Sequence, residues 1–249
     1  MAPSKRDTAI FTTSLLPPPG PNTTLTLPTR TIPSPLSNPQ LFNDALAVRL
    51  EVFVDEQKCA AEFEIDDDDT RSWQWVIYDT NATYPGAPSP IKLPVAVIRL
   101  VPPPHAPHDS LHGDDANGEG HASANGDGSG SVEKYDLRHE PHIKFGRVAV
   151  LAGYRGCGLA RRLMETAMAW AGEHAEEINQ ALMDVVEKEG DLGTEPAPAW
   201  KGLVLVHAQV DVEKMYQRLG FVTDEGLGRW IEEGIEHVGM WRRLEVIKG

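Results

Sequence analysis

The chain has few cysteines, no long apolar run and few basic residues, and each of these absences argues against a class of protein. It contains only two cysteines, Cys59 and Cys157, which cannot form a disulfide framework and lack the spacing of a metal site, so we expect two reduced thiols. No apolar run approaches the roughly 20 residues that cross a bilayer, and the first residues lead to a proline-rich segment rather than an export signal. We therefore expect an intracellular, cytoplasmic protein with no membrane partner, and the nucleus stays open as an alternative.

Basic residues are also scarce. The 23 Lys and Arg residues stand against 37 Asp and Glu residues, which gives a formal net charge of −14. Because binding to a phosphate backbone needs a basic face, this balance argues against nucleic acid as a partner. The same field would attract a cationic amine, and six acids within residues 62–69 indicate either a recruiter of such a substrate or an ordinary solvated acidic loop.

The hydrophobic pattern predicts one domain over residues 1–249, since 41% hydrophobic content is ample for one sizeable core. Helical and strand patterns around a central sheet predict an α/β or α+β architecture of three layers. The predicted elements are, in chain order, an extended arm or first edge strand near 23–31 with a flexible arm over 1–20, a helix over 39–57, antiparallel strands over 72–78 and 95–101, a helix from 156 towards 188, a strand over 203–208 and a helix over 210–219.

Residues 102–140 differ from the rest in composition. They are rich in Gly, His, Asp, Asn and Ser and hold almost no large apolar side chain, so burial cannot offset the entropy cost of ordering them. We predict a flexible insertion here. Four histidines, His105, His108, His112 and His121, are spaced too irregularly to predict a metal site.

The most informative stretch is residues 148–160, where a short apolar strand runs through a glycine-rich turn into an amphipathic helix. Gly156 and Gly158 lack a β-carbon, so the backbone can approach an anion closely, and the helix start adds partial positive charge. Arg155 supplies formal charge beside those amides. The stretch therefore predicts a diphosphate site made of Arg155, Gly156, Cys157, Gly158, Leu159 and Ala160.

The turn has the form Arg-x-x-Gly-x-Ala, and a second segment downstream places Gln209 and Tyr216 seven residues apart at a strand-to-helix junction. In these two segments the chain resembles the GNAT superfamily of acetyl-coenzyme A-dependent N-acetyltransferases. Residues 48–57 and 64–66, with 234–240 near the end, are similar to one branch of that superfamily, whose members are mostly predicted acetyltransferases of unknown substrate. The resemblance implies a mixed, mostly antiparallel central sheet of six or seven strands flanked by helices.

The resemblance also implies roles for single residues. Acetyl-coenzyme A is the implied co-substrate, with no metal. The strand that ends at Val150 is expected to splay from the next one, so that Val148, Ala149 and Val150 bind the pantetheine arm and polarise the acetyl carbonyl. Tyr216 is the implied general acid for the departing thiolate, and Gln209 the implied contact to the cofactor.

The acceptor side needs a base, because an alkylamine is almost fully protonated at neutral pH. The candidates for this base are Glu64, Asp66, Glu233 and His237, of which Glu64 and Asp66 are preferred. All four are also candidates for binding the substrate. We predict transfer of acetyl to a primary amine by direct attack in a ternary complex, with a small amine such as an amino sugar, polyamine or amino acid as acceptor. Acetylation of a protein lysine or N-terminus, a non-catalytic acyl-coenzyme A-binding module, and a homodimer all stay open.

Overall fold

The structure is a computed structural model that describes residues 9–83, 89–106, 135, 139–189 and 198–247. Most of the predicted flexible insertion lies outside these residues, and so do residues 1–8 of the predicted arm and the segment 190–197. Within the described part of the chain, none of the helices combines the length and apolarity that a membrane span needs.

The described residues form eight strands and four α-helices. The strands are Phe11–Leu16 (β1), Trp73–Ala82 (β2), Ile91–Val101 (β3), Ile143–Val150 (β4), Leu203–Gln209 (β5), Val222–Thr223 (β6), Arg229–Glu232 (β7) and Ile235–Arg243 (β8). The helices are Gln40–Arg49 (α1), which continues as a π-helical segment over Leu50–Glu56, Leu159–Glu173 (α2), Ala175–Glu189 (α3) and Glu213–Arg218 (α4).

One mixed sheet contains all eight strands in the order β1-β2-β3-β4-β5-β8-β6, with β7 paired to β8. Every pair is antiparallel except β4 with β5. The expected fold class, a mixed and mostly antiparallel sheet flanked by helices, is confirmed, and the sheet has eight strands where six or seven were predicted.

The parallel pair β4–β5 is short, and one edge of β4 is left open as a result. The two strands are paired only from Ile143, opposite Val204, to Phe145, opposite Val206. On its other side β4 remains paired with β3 as far as Val150, opposite Ala96. The edge of β4 that faces β5 is therefore open beyond Phe145, which is the splay that the resemblance implied.

Helices cover both faces of the sheet. Gln74 of β2 hydrogen-bonds Asp69, which is bound to Arg49 of α1. Trp73 and Trp75 point to the opposite face, because neighbouring side chains in a strand alternate, and their rings lie 5.0 and 5.5 Å from Trp170 of α2. The sheet thus lies between two helical layers, as the three-layer prediction required.

The first edge strand was predicted in the wrong place. The strand is β1, Phe11–Leu16, and it pairs with β2 from Phe11, opposite Asp79, to Leu16, opposite Gln74. Three prolines follow it at 17–19 and end it, since proline has no N–H to donate to a ladder. Residues 23–31 form a loop instead, whose Leu25 and Leu27 pack beside the buried Phe42.

The long helix expected from residue 156 towards 188 is two helices. The chain breaks at His174, where φ is −120° and ψ is 36°. The backbone carbonyl of Gly172, which a continuing helix would use itself, accepts a hydrogen bond from the N–H of Ile247 at 2.9 Å. Glu245 also lies so close that a β-carbon on Gly172 would stand 2.7 Å from its carbonyl oxygen. Packing of the C-terminal segment therefore interrupts the helix.

Candidate active site

A cavity of about 680 Å³ runs along the open edge of β4. Its walls also include the glycine-rich turn, β5 with α4, the π-helical segment and the β7–β8 hairpin. The predicted site residues that line it are Val148, Ala149, Val150, Arg155, Gly156, Ala160, Gln209, Tyr216, Glu64, Glu233 and His237. Four other predicted residues do not line it, namely Cys157, Gly158, Leu159 and Asp66.

The turn that precedes α2 is shaped for an anion. Gly156 and Gly158 have φ of 77° and 79°, in the left-handed region that favours glycine, and Gly158 is the residue at which α2 begins. No side chain caps this end of the helix, so its first-turn amides have no partner within the helix. A β-carbon on Gly158 would meet nothing within 4 Å. The space beside Gly158 is therefore open, while the buried Leu159 anchors the helix in the core.

Arg155 is already engaged at the mouth of the cavity. Its guanidinium binds both carboxylate oxygens of Glu56 at 2.6 Å, and its Nε donates to the carbonyl of Val150 at 3.1 Å. The hydrogen bond to Arg155 lowers the pKa of Glu56, and the same contact raises the pKa of Arg155. Glu56 lies on the π-helical segment and was missed in the sequence, because its partner is 99 residues away and no local pattern marks it.

A bulge interrupts β4 at the middle of the cavity. Val97 lies opposite Ala149 but Arg99 lies opposite Gly146, so β4 holds one extra residue between these pairs. Arg147 has φ of 52°, an unusual value for a residue with a side chain. Such a bulge bends the strand and leaves its extra residue out of the β3–β4 ladder, at the level where the opposite edge of β4 is open.

Tyr216 of α4 lines this cavity, and its ring is held in place. The side chain is 6% exposed, and its ring packs edge-to-face on Phe221 at 5.8 Å. No described residue hydrogen-bonds its hydroxyl. Burial raises the pKa of Tyr216 above its usual value, so the hydroxyl keeps its proton at neutral pH and can serve as a donor.

Gln209 has a partner that the sequence did not reveal. Its amide exchanges two hydrogen bonds with the amide of Gln57, at 3.1 and 3.4 Å, and both residues line the cavity. Gln57 follows the π-helical segment, so this contact fastens that segment to the end of β5. The predicted cofactor residue thus also holds two walls of the site together.

The acid-rich run at 62–69 is largely an ion-pair network and neither a recruiter nor a solvated loop. Glu64 and Asp69 are buried, and both bind Arg49, which is itself fully buried. Arg49 donates to Glu64 at 3.1 Å and to the two oxygens of Asp69 at 2.8 and 3.2 Å. Glu64 lines the cavity, but its carboxylate is already paired with Arg49.

Asp66 is bound still more firmly. Arg99 donates to its two oxygens at 2.6 and 2.9 Å, and Arg147 approaches at 3.3 Å. Burial opposes ionisation, but these two guanidinium groups outweigh it and hold the pKa of Asp66 at about 2. Asp66 lines a second cavity of about 820 Å³, which contains neither the glycine-rich turn nor Tyr216. Such a carboxylate is a poor acceptor for an ammonium proton.

His237 is better placed to take a proton. It lines the cavity, and its Nδ1 lies 2.8 Å from the carbonyl oxygen of Ile235, a contact that requires Nδ1 to carry the hydrogen. In the neutral ring Nε2 then has a free lone pair, and no described residue hydrogen-bonds it. The ring stacks on Trp230 with centroids 6.2 Å apart, which fixes its orientation.

Cys59 and Glu233 lie together on the same wall. Burial and the neighbouring Glu233 carboxylate raise the pKa of Cys59 to about 11, so this thiol stays protonated near neutrality and is a poor nucleophile. Among the described residues, no group of three or more His, Cys, Asp or Glu side chains could hold a metal ion. His105 is buried against the carbonyl of His142, whereas His108, His112 and His121 lie outside the described residues.

Residues 118–223 match the family model described as an acetyltransferase (GNAT) domain. The match includes the glycine-rich turn, β5 and Tyr216. This stretch of the chain is therefore similar to a GNAT acetyltransferase domain, in agreement with the resemblance found in the sequence.

Solved structures with similar folds come from several bacteria. An acyl-CoA N-acyltransferase from Pseudomonas aeruginosa is 23% identical, with a TM-score of 0.43 over 82% of this chain and 89% of that one. ElaA from Escherichia coli is 20% identical, with a TM-score of 0.47 over 94% of this chain and 100% of that one. These similarities are too low to identify an acceptor.

Proposed function

We propose that this enzyme transfers an acetyl group from acetyl-coenzyme A to the primary amine of a small molecule, by direct attack in a ternary complex. The observation that carries the proposal is the open edge of β4 between the glycine-rich turn and Tyr216. One continuous cavity thereby joins an anion site, a free strand edge and a hydroxyl donor. These are the three features that binding and breaking a thioester carrier require.

The carrier would lie along β4. Its pyrophosphate would accept hydrogen bonds from the amides of 158–160, helped by the positive end of α2. Its pantetheine arm carries amide groups, which would pair with main-chain groups on the open edge of β4 as an added strand does. The Val150 carbonyl on this strand already accepts a hydrogen bond from Arg155. Gln209, already oriented by Gln57, would contact the arm where it enters the acceptor side.

The reaction follows from these positions. The neutral amine nitrogen forms a bond to the acetyl carbon, and main-chain N–H groups at the β4 bulge stabilise the negative charge that develops on the carbonyl oxygen. The carbon–sulfur bond then breaks. The departing thiolate takes a proton from the Tyr216 hydroxyl, which solvent later restores, and the amine loses one proton to a base.

His237 is the base that the geometry favours. Its Nε2 lone pair faces no described partner, and imidazole is the side chain that most often takes protons in enzymes. Glu64 and Asp66 are both committed to arginines, so taking a proton would cost them those ion pairs. We therefore assign Glu64 and Asp66 to shaping the acceptor wall and His237 to proton removal.

The decisive experiment combines a binding and a turnover measurement. Calorimetry with coenzyme A should show binding, and a thiol-release screen of primary amines with acetyl-coenzyme A should show turnover with at least one small amine. Acetylation of peptides but of no small amine would favour a protein acceptor. Coenzyme A binding without turnover on any amine or peptide would favour a non-catalytic module, and the absence of binding would refute the proposal.

A further inference from the structure

At the end of the cavity farther from the glycine-rich turn, almost all charged side chains form ion pairs with one another. Four arginines and four carboxylates of the described residues bind one another within 4.0 Å. The pairs are Arg49 with Glu64 and Asp69, Arg99 with Asp66 and Asp69, Arg147 with Asp66, and Arg71 with Asp68. This network therefore leaves no net charge for a substrate to use.

One cation lies beside this network without joining it. Lys144 of β4 lines the cavity and is half-buried, yet its Nζ makes no hydrogen bond or ion pair with any described residue. Asp68 and Glu232 are the nearby acids, but Asp68 is bound by Arg71 at 2.8 Å, and Glu232 accepts from the indole of Trp230 at 3.4 Å. Burial lowers the pKa of Lys144, and the attraction of these two acids does not offset this effect.

The position of Lys144 separates it from the phosphate end of the cavity. It lies opposite Val101 on one side and Leu205 on the other, six residues before Val150. At about 3.3 Å per residue, this places it roughly 20 Å along the strand from the start of the turn. A phosphate bound at the glycine-rich turn is thus too far away to pair with Lys144. An anion that did pair with Lys144 would enter from the acceptor side.

We infer that Lys144 binds a carboxylate of the acceptor, so that the substrate is an amine that also bears a carboxylate. This inference rests on the proposed function. The reacting amine would reach the acetyl group near Val148, which is four residues and less than about 13 Å along β4 from Lys144, because the bulge at Arg147 shortens the strand. The amine and the carboxylate of the acceptor are therefore several bonds apart, as in an ω-amino acid.

The test compares 6-aminohexanoate with hexylamine, which is the same chain without the carboxylate. For the wild-type enzyme we expect kcat/KM to be about tenfold to hundredfold higher for 6-aminohexanoate, the range of one charge-assisted contact. Lys144→Met should bring the two amines to similar kcat/KM by lowering only the value for 6-aminohexanoate. Lys144→Arg should retain most of the preference. Lys188→Met, which removes an exposed lysine of α3, is the control and should leave it unchanged.

Two failures are distinguishable. Equal kcat/KM for both amines in the wild-type enzyme, or an unchanged preference in Lys144→Met, would overturn the carboxylate inference and leave the proposed function standing. If neither these amines nor any other releases thiol, the proposed function fails. Calorimetry with 6-aminohexanoate and hexylamine, in the presence of coenzyme A, then decides the role of Lys144. Tighter binding of 6-aminohexanoate to the wild type alone would support it, and equal binding would overturn it.

Discussion

Replacing Tyr216 by Phe removes one oxygen atom and tests the proposed chemistry at its most specific point. The ring keeps its edge-to-face contact with Phe221, because only the hydroxyl is lost. That hydroxyl has no hydrogen-bond partner among the described residues, so its removal breaks no described contact in the free enzyme. The stability of the fold should stay within about 0.5 kcal/mol of the wild type or rise slightly.

The effect on turnover should be much larger. A positioned general acid contributes about 10²–10⁴-fold to rate, so kcat should fall by that factor, which corresponds to about 3–5 kcal/mol of activation barrier. Since burial raises the pKa of Tyr216, its hydroxyl stays protonated across the ordinary assay range. The wild-type rate should therefore show no alkaline decline from this group below about pH 10.

Thiol release at saturating amine and acetyl-coenzyme A measures kcat, and calorimetry with coenzyme A and thermal melting serve as controls on the same variant. We expect a large loss of kcat with nearly normal coenzyme A affinity and melting temperature. An unchanged kcat would remove Tyr216 from the mechanism. A variant that lost affinity and kcat in proportion would show that the tyrosine binds the carrier instead of protonating its thiolate.

Three further predictions concern the rest of the site. Gly158→Glu should weaken coenzyme A binding at least about a hundredfold in calorimetry, because it places a negative charge beside the amides that start α2, while Gly158→Ala introduces the same backbone strain without charge and should weaken it less. Glu56→Gln should strengthen coenzyme A binding by up to about fivefold, because it releases Arg155 from an exposed ion pair of the kind worth about 0.2–1 kcal/mol. Arg49→Met should lower the free energy of unfolding in urea by about 3–5 kcal/mol, since it removes the closest cation of the buried Glu64 and leaves the buried Asp69 with Arg99 alone.

Each of these has a result that contradicts it. Normal affinity in Gly158→Glu would mean that the turn does not hold the phosphates. Equal or weaker binding by Glu56→Gln would mean that Arg155 is not a phosphate ligand, or that the Glu56 contact holds the turn in its binding shape. A urea midpoint in Arg49→Met that matches the wild type would mean that the two carboxylates find other partners.

The sequence predicted the parts of the site that are local in the chain. The glycine-rich turn with its flanking strand and helix occupies one continuous stretch, and Gln209 and Tyr216 lie seven residues apart across one junction. Their chemistry depends on short-range geometry such as positive φ at Gly156 and Gly158, which glycine itself signals. Local features of this kind can be predicted from the sequence before the fold is known.

The rest of the site depends on distant residues and could not be read in this way. Gln57 meets Gln209 across 152 residues, and Glu56 meets Arg155 across 99. The acid run at 62–69 was interpreted as a possible attraction for amines because its sequence does not show its arginine partners. Those partners come from α1, β3 and β4. The same holds for β1, whose place in the sheet is fixed by pairing with β2 some 60 residues later.

The gap between β4 and β5 has an evolutionary consequence. A ligand that is bound through main-chain groups depends little on which side chains the strand carries, as long as the strand stays extended and the gap stays open. Substitutions can then accumulate along this strand without loss of ligand binding. We expect enzymes built on this plan to drift far apart in sequence and yet to keep handling one carrier, with selection acting on what reaches the opposite end of the groove.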